Sequence, residues 1–195
     1  MRKQIILASS SIHRKKLLNQ LKIQFEIVRP NINETRHNNE NINSYVRRLS
    51  FEKAQSVAKK YKKALVIGSD EVAVVNKKVL GKPLTKKNAI KQLKYLSNKI
   101  VTFKTGLCVM DSDSMKKYTS VANFKIYMRK ITEKEIINYI NKEDMLNCAG
   151  SIRIEGLAIA FVKKMHGIDP SSIVGLPVLK LIEFLKRFNY NILTK

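Results

Sequence analysis

Leu65-Val66-Ile67-Gly68-Ser69-Asp70-Glu71-Val72-Ala73-Val74-Val75 decides the fold and carries the first chemical signal. Leu65-Val66-Ile67, with Ala64 ahead of it, has the length and β-branched character of a buried strand. The run ends in Gly68-Ser69, two carboxylates follow, and a second apolar run starts at once with Val72. This pattern predicts that Asp70 and Glu71 stand where a core strand breaks or bends. Desolvating a carboxylate is costly unless it is paired or holds a metal. Two assignments are open at this point: a polar turn between two strands, or a metal-binding or general-base carboxylate at a strand end.

Upstream, residues 4–8 are a first strand, and Ser9-Ser10-Ser11 forms a hydroxyl-rich turn that supplies a helix N-cap. The helix runs to about Leu21 with Leu17, Leu18 and Leu21 on its apolar face. Arg14 precedes Leu17 and Leu18 by three and four residues, so it shares that face at the first turn. A strand, a serine turn, a helix N-terminus and an inward arginine together suit a phosphate; an ordinary capped helix with a solvated basic turn is the alternative. Residues 24–28 read as a second strand. The polar stretch 29–43 is irregular and holds Glu34. A long helix follows over 42–61, with Ile42, Tyr45, Val46, Leu49, Ala54, Val57 and Ala58 apolar. Lys53 falls among Val46, Leu49 and Val57, and Glu52 sits at the edge of the same stripe. A lysine there either snorkels to water or reaches into a cleft to meet an anion.

Downstream, Gly81-Lys82-Pro83 lacks the upstream glycine and following Ser/Thr of a Walker A loop. Pro83 disfavours helix at Lys82, which therefore stands on an extended segment. Thr85 caps a helix carrying Ala89, Ile90, Leu93 and Leu96. Residues 100–110 alternate as a half-buried strand, Asp111–Ser114 turns, and Phe124, Ile126 and Met128 alternate on a returning strand, giving an antiparallel hairpin. Thr132-Glu133-Lys134-Glu135 is a capping box opening a helix with Ile136, Ile137 and Ile140 inward. The segment 148–156 leads into an apolar run, 157–162, that reads as a buried strand and leaves Glu155 in an awkward place. His166–Pro170 is a loop. Gly175-Leu176-Pro177 starts a last helix, with Pro near its first turn and Val178, Leu181, Ile182 and Leu185 packing inward.

The chain has 195 residues, 44% of them hydrophobic, which suits one domain over residues 1–195 with a proper core. Lys plus Arg number 38 against 15 Asp plus Glu, a net charge of +23, and nucleic acid is the first partner such an imbalance suggests. The basic residues are nevertheless spread from end to end. Lys59-Lys60-Lys62-Lys63, Lys86-Lys87 and Lys163-Lys164 fall at helix ends or in turns, where charge is solvated. Abundant Lys, Asn and Ile fit an AT-rich coding bias, so a nucleic-acid interface is not the favoured reading. Cys108 and Cys148 lack metal-ligand spacing and imply a reducing compartment without disulfides. The start, Arg2-Lys3 then Ile5–Ala8, mimics a signal peptide only faintly, its apolar part being too short. No apolar run approaches the roughly 20 residues of a membrane span. A soluble, cytoplasmic protein is expected.

Taken in order, several of these motifs resemble the Maf family of nucleotide pyrophosphatases over essentially the whole chain. They are Leu7-Ala8-Ser9-Ser10-Ser11 with Arg14 and Leu17-Leu18; Glu34; Glu52-Lys53-Ala54; Gly68-Ser69-Asp70; Gly81-Lys82-Pro83; Thr105-Gly106; Ala149-Gly150 with Glu155-Gly156; and Val174-Gly175-Leu176-Pro177. Residues 101–107 and 147–151 look most like the branch acting on 7-methyl-GTP. The resemblance implies an α/β fold like that of inosine triphosphate pyrophosphatase, with a long mixed β-sheet flanked by helices and two lobes around a cleft, usually as a homodimer. It also implies hydrolysis of a nucleoside triphosphate to monophosphate and pyrophosphate with Mg²⁺ or Mn²⁺; dTTP/UTP is the alternative substrate class. Asp70 matches the proposed proton acceptor. Ser9, Ser11, Arg14, Lys53 and Lys82 match the phosphate-binding set, Glu34 and Asp70 the metal side, and His13, Glu71 and Glu155 the positions that choose the base. The chain departs from the pattern at Ile12 (usually Pro), His13 (usually Trp in this branch), Lys15 (usually Arg), Asn33 (usually Asp) and Glu71 (usually Gln). Histidine stacks on a cationic purine less well than Trp would, whereas a carboxylate at Glu71 suits such a base.

Overall fold

The computed structural model describes residues 3–194; Arg2, part of the basic start, lies outside them. The described residues form seven strands and five α-helices: β1 (Gln4–Ala8), α1 (Ile12–Gln20), β2 (Glu26–Ile27), α2 (Ile42–Ala58), β3 (Ala64–Val75), β4 (Lys78–Leu80), α3 (Lys86–Leu96), β5 (Ile100–Asp111), β6 (Lys117–Met128), α4 (Glu133–Lys142), β7 (Val162–His166) and α5 (Val178–Arg187). The strands make one mixed sheet in the order β2-β1-β3-β5-β6-β7, with β4 on β3 off that path. β1 runs parallel to β2 and to β3, with Ala8 level with Gly68. β4 is antiparallel to β3 and β7 to β6. The fold is α/β, as expected.

One expectation is corrected at the stretch that opened the reading. β3 does not break at Gly68-Ser69 but runs from Ala64 to Val75 without interruption, and Asp70 and Glu71 are strand residues. A glycine weakens a strand when nothing gains from its missing side chain. Here the backbone of α2 occupies that space: a Cβ at Gly68 would lie 2.1 Å from Ser50 O and 2.8 Å from Ala54 N.

Two compact units are distinguished. The first comprises residues up to Asp70, 105–122 and those from Gly175 onward; the second comprises 71–104 and 123–174. In the first unit, period-2 alternation builds two apolar layers. Leu7, Leu65, Ile67, Leu107 and Val109 pack with Leu18 of α1 and Leu181, Phe184 and Leu185 of α5. Ile6, Ala8, Val66, Cys108 and Met110 pack with Ala54, Val57 and Ala58 of α2. Both strand faces are therefore covered, which is why β1 and the start of β3 read as unbroken apolar runs. Burying each large aliphatic side chain contributes about 1.5–3 kcal/mol.

In the second unit, Ala73, Val75, Val101, Phe103, Phe124, Ile126 and Met128 pack with Ala89, Leu93 and Leu96 of α3 and Ile136, Tyr139 and Ile140 of α4. The capping box at Thr132 and Glu135 forms as read, but Ile137 points outward, 38% exposed, and Tyr139 takes the inward place. The run at 157–162 is not a strand: Leu157–Phe161 is a 3-10 helix. The Leu157 N–H donates to Glu143 Oε2 at 2.7 Å, opening a helical turn. Only Ala158 and Phe161 are then buried, at the three-residue spacing of that helix. Lys163 and Lys164 consequently lie within β7 rather than in a turn, and both are exposed. α2 also stops earlier than expected, at Ala58, before the chain turns back through Lys63 (φ +53°) into β3.

Candidate active site

Asp70 is the last residue of the first unit's share of β3 and is buried. Lys53 approaches it from α2, its Nζ donating to Asp70 Oδ1 at 2.6 Å. The two side chains are only 7% and 10% exposed. The same Nζ lies 2.9 Å from Glu34 Oε1, whose side chain is 59% exposed on the irregular stretch after β2. Lys53 therefore does not snorkel; it holds two carboxylates, one buried and one open to solvent. The helix can come this close because two glycines lie beneath it. Besides Gly68, a Cβ at Gly106 would meet Val46 O at 2.1 Å.

A second cluster of the same unit surrounds Arg14. Ser11 caps α1, its Oγ accepting the Arg14 N–H at 3.4 Å. Ser9 Oγ accepts the Ser11 N–H at 3.1 Å and Arg14 Nη1–H at 3.3 Å. Arg14 Nε donates to Gly175 O at 2.7 Å. Gly175 adopts φ +99°, a left-handed conformation that favours glycine. Its carbonyl also lies 2.7 Å from the hydroxyl of Ser69, which is equally close to Gly106 O. A buried hydroxyl thus ties Arg14, through one carbonyl, to the residue preceding Asp70. Ser9 begins where β1 stops, one step past the level of Gly68. The expected residues Ser9, Ser11, Arg14, Glu34, Lys53 and Asp70 all belong to this unit, and His13 is half-buried on the first turn of α1.

In the second unit, Glu71 is half-buried at the start of its share of β3. Glu155 is flanked by a 3-10 helix and not by the buried strand expected, and stands on an exposed turn with its carboxylate 3.9 Å from Arg153 Nε. Burial, and then the nearby charges of Glu155 and Glu71, push the Cys148 thiol up to about 12. Lys82 is exposed on a segment without helix or strand after β4, as read. Its loop is anchored at Gly81 O, which accepts the Gly150 N–H and Gln92 Nε2–H, each at 3.1 Å.

Several participants escape a reading by pattern. Ser69 and Gly175 are visible only as members of their motifs: the Ser69 hydroxyl lies against two main-chain carbonyls, and the Gly175 carbonyl accepts from Arg14. Gln92, besides donating to Gly81 O, accepts from Ser151 Oγ at 2.6 Å. Arg48, Tyr45 and Glu40 fix the stretch that bears Glu34. Arg48 alone left a hint, being four residues before Glu52 on α2.

A family model described as Maf-like protein matches residues 4–188. The chain belongs to the Maf family. A protein named 7-methyl-GTP pyrophosphatase from Colwellia psychrerythraea is 42% identical to this Maf chain over 193 residues, 99% of the chain and 96% of the relative. One of the same name from Pseudoalteromonas translucida is 44% identical over 190 residues, 97% and 94% of the two. Another, from Aliivibrio fischeri, is 40% identical over 193 residues, 99% and 100%. No helix among the described residues of this Maf chain is long and apolar enough to cross a membrane.

Among the described residues no three His, Cys, Asp or Glu side chains gather to hold a metal alone. Asp70 and Glu34 nevertheless converge on one cation, the Lys53 ammonium. Mg²⁺ is usually bound through one or two carboxylates, with substrate phosphates and water completing its shell. The donor set of this Maf chain fits a divalent ion that arrives with a polyphosphate.

Proposed function

We propose that this Maf protein is a pyrophosphatase that hydrolyses 7-methyl-GTP to 7-methyl-GMP and pyrophosphate. The observation that carries the proposal is the buried Asp70 held at 2.6 Å by Lys53, with Glu34 at 2.9 Å from the same ammonium. A buried carboxylate beside a cation is what water activation next to a polyanion requires. Water attacks the α-phosphorus, the bond to the bridging oxygen breaks, and pyrophosphate leaves. Asp70 takes the proton of the attacking water. Lys53, Arg14 and Lys82 offset the negative charge of the triphosphate, Arg14 as a planar fork and the lysines as point charges. Ser9 and Ser11 supply hydroxyls beside the α1 N-terminus, itself favourable to phosphate. Glu34 and Asp70 would hold Mg²⁺ or Mn²⁺, which supplies Lewis-acid polarisation and charge neutralisation when bound.

The choice of base is supported by the names of the relatives and by local charge. Glu71 and Glu155, the carboxylates that the resemblance places among the base-choosing positions, would favour a cationic 7-methylguanine over neutral guanine. His13 offers a stacking face in place of the usual indole. A homodimer in the cytoplasm accompanies this proposal.

Pyrophosphate release from 7-methyl-GTP, GTP, dTTP and UTP, with Mg²⁺ or Mn²⁺, tests it in wild type and in Asp70→Asn. The expected result is preference for 7-methyl-GTP and a loss of about 10²–10⁴-fold in the variant, the usual worth of a positioned base. Preference for dTTP or UTP would move the substrate to the other branch. No release from any triphosphate, or equal release by Asp70→Asn, would reject the assignment.

A further inference from the structure

We infer that Arg48 is a positioning residue that sets Glu34 for catalysis, by clamping the loop that carries Glu34 onto the helix that carries Lys53. The inference rests on the role proposed for Glu34 above. Residues 29–41 contain no helix or strand. A carboxylate on such a segment has no ladder or helical hydrogen bonds to hold it, and its effect at a reacting centre depends on whatever fastens the loop.

Besides its own turns, closed by Arg36 on Glu40 O and by Asn33 on the Thr35 N–H, the loop is fastened from one face of α2. Arg48 Nε donates to Glu40 Oε1 at 2.8 Å and Arg48 Nη2 to Glu40 Oε2 at 2.9 Å, a two-point grip on the far end of the loop. The same Nη2 donates to Thr35 O at 3.0 Å, one residue past Glu34. Arg48 Nη1 donates to Glu52 Oε2 at 3.2 Å, which orients the guanidinium from the helix side. Tyr45, whose ring lies 5.6 Å from the Arg48 guanidinium carbon, donates its hydroxyl to Glu34 O at 2.9 Å. Glu40 also accepts the His37 N–H at 3.1 Å, closing the loop's own turn. The Arg48 and Glu40 side chains are only 18% and 10% exposed. The Arg48 guanidinium keeps the Glu40 carboxyl well below the usual carboxylate range, at about 2.

Helical spacing explains the division of labour. Tyr45, Arg48 and Glu52 lie along one stripe of α2, while Val46, Leu49, Lys53 and Val57 lie along the neighbouring one. The second stripe delivers Lys53 to Asp70; the first holds Glu34 within 2.9 Å of that same Lys53 Nζ. One rigid helix thus fixes both acidic arms on a common cation. Lysine in place of Arg48 would keep the charge but could not grip both Glu40 oxygens and Thr35 O at once.

The test compares Arg48→Met, Arg48→Lys, Glu34→Gln and the double variant Arg48→Met/Glu34→Gln. Three quantities are read: pyrophosphate release as a function of Mn²⁺ concentration, Mn²⁺ binding by electron paramagnetic resonance in the presence of pyrophosphate, and amide hydrogen exchange of residues 33–40. Removing a group that orients a ligand typically costs about 10–100-fold in metal affinity or activity. Arg48→Met is expected to raise the Mn²⁺ requirement by that factor, weaken Mn²⁺ binding alike and speed exchange across the loop. Arg48→Lys should recover only part of the loss. In the Glu34→Gln background Arg48→Met should add little further loss. If Arg48→Met does not fold, Glu40→Gln removes the same clamp from the other side with the same readouts.

A defect in Glu34→Gln beside a neutral Arg48→Met overturns the inference and leaves the proposed function intact. An undiminished Arg48→Met effect in the Glu34→Gln background overturns it too, since Arg48 would then act elsewhere. A neutral Glu34→Gln rejects the role of Glu34 and this inference with it.

Discussion

Lys53 and Asp70 are two opposite charges almost out of water, joined at 2.6 Å. A buried pair of this kind adds little net stability, yet removing one partner strands the other and typically costs about 3–5 kcal/mol. Glu34, on the exposed side of the same lysine, does not replace Asp70. Lys53→Met is therefore expected to destabilise the protein by about that amount. The double variant Lys53→Met/Asp70→Asn should recover most of the loss while remaining inactive. Urea unfolding of the three proteins checks this; a double variant no more stable than Lys53→Met would mean that packing, not stranded charge, sets the cost. Glu40 gives a pH signature. Its folded value near 2 lies below the ordinary 4.5, so the unfolded chain binds its proton first. The contribution is present above pH 4.5 and is lost as pH falls toward about 2. The stability gap between wild type and Glu40→Gln should stay constant above about pH 5 and close over that acid window. A gap independent of pH would show that the Glu40 carboxylate contributes no charge-dependent stability. At this scale Lys53 was legible because a charge on an apolar helical stripe breaks the pattern. Arg48 offered only its spacing to Glu52: its other partners, Glu40 and Thr35, lie on an irregular segment, where no period links contact to spacing. Ser69 was visible as part of Gly68-Ser69-Asp70, but the main-chain carbonyls its hydroxyl meets, 37 and 106 positions away, leave no mark in the pattern of side chains.

At the scale of elements, the site depends on how near α2 can approach the sheet, and glycine sets that distance. Gly68→Ala places a Cβ 2.1 Å from Ser50 O and 3.0 Å from the Ala54 Cβ, so the helix must move. Forced overpacking costs about 1–3 kcal/mol, and here the displaced element also carries Lys53. Gly68→Ala should thus lose stability and activity together. Gly81→Ala is the matched control, since a Cβ there meets nothing within 4 Å, and its stability should stay within about 0.5 kcal/mol of wild type. Thermal unfolding beside pyrophosphate release separates the two; a stable, active Gly68→Ala would show that α2 is not held by this close approach. The order of strands and helices was largely visible from apolar periodicity and caps, as at Ser11, Thr85 and Thr132. The continuity of β3 was not. Gly-Ser-Asp-Glu is turn chemistry by composition, and only the neighbouring helix backbone shows why a strand carries it. The 3-10 helix at Leu157–Phe161 was hidden for a similar reason, because its opening N–H is satisfied by Glu143, fourteen residues earlier.

At the scale of the whole molecule, a net charge of +23 must act on whatever anion approaches. Lys59, Lys60, Lys62, Lys86, Lys87, Lys163 and Lys164 are all exposed. They therefore create a diffuse positive field rather than a set of fixed contacts. Such a field raises the encounter rate with a polyanion and is screened by salt over a Debye length of about 8 Å at 0.15 M. The expected consequence is kinetic. Between low salt and about 0.3 M KCl, with divalent ion held constant, kcat/KM for the triphosphate should fall roughly tenfold while kcat changes by less than about twofold. Replacing Lys59, Lys60 and Lys62 by Ser should flatten that salt dependence without altering kcat, because none of the three is placed in the catalytic machinery. A fall in kcat equal to that in kcat/KM would mean that salt acts on the buried pair instead of on approach. The same titration with duplex DNA separates steering from a nucleic-acid role. Binding that persists at about 0.15 M KCl, with a steep logarithmic salt slope, would require clustered phosphate contacts. A steering field made of scattered lysines predicts weak association that is lost before physiological salt.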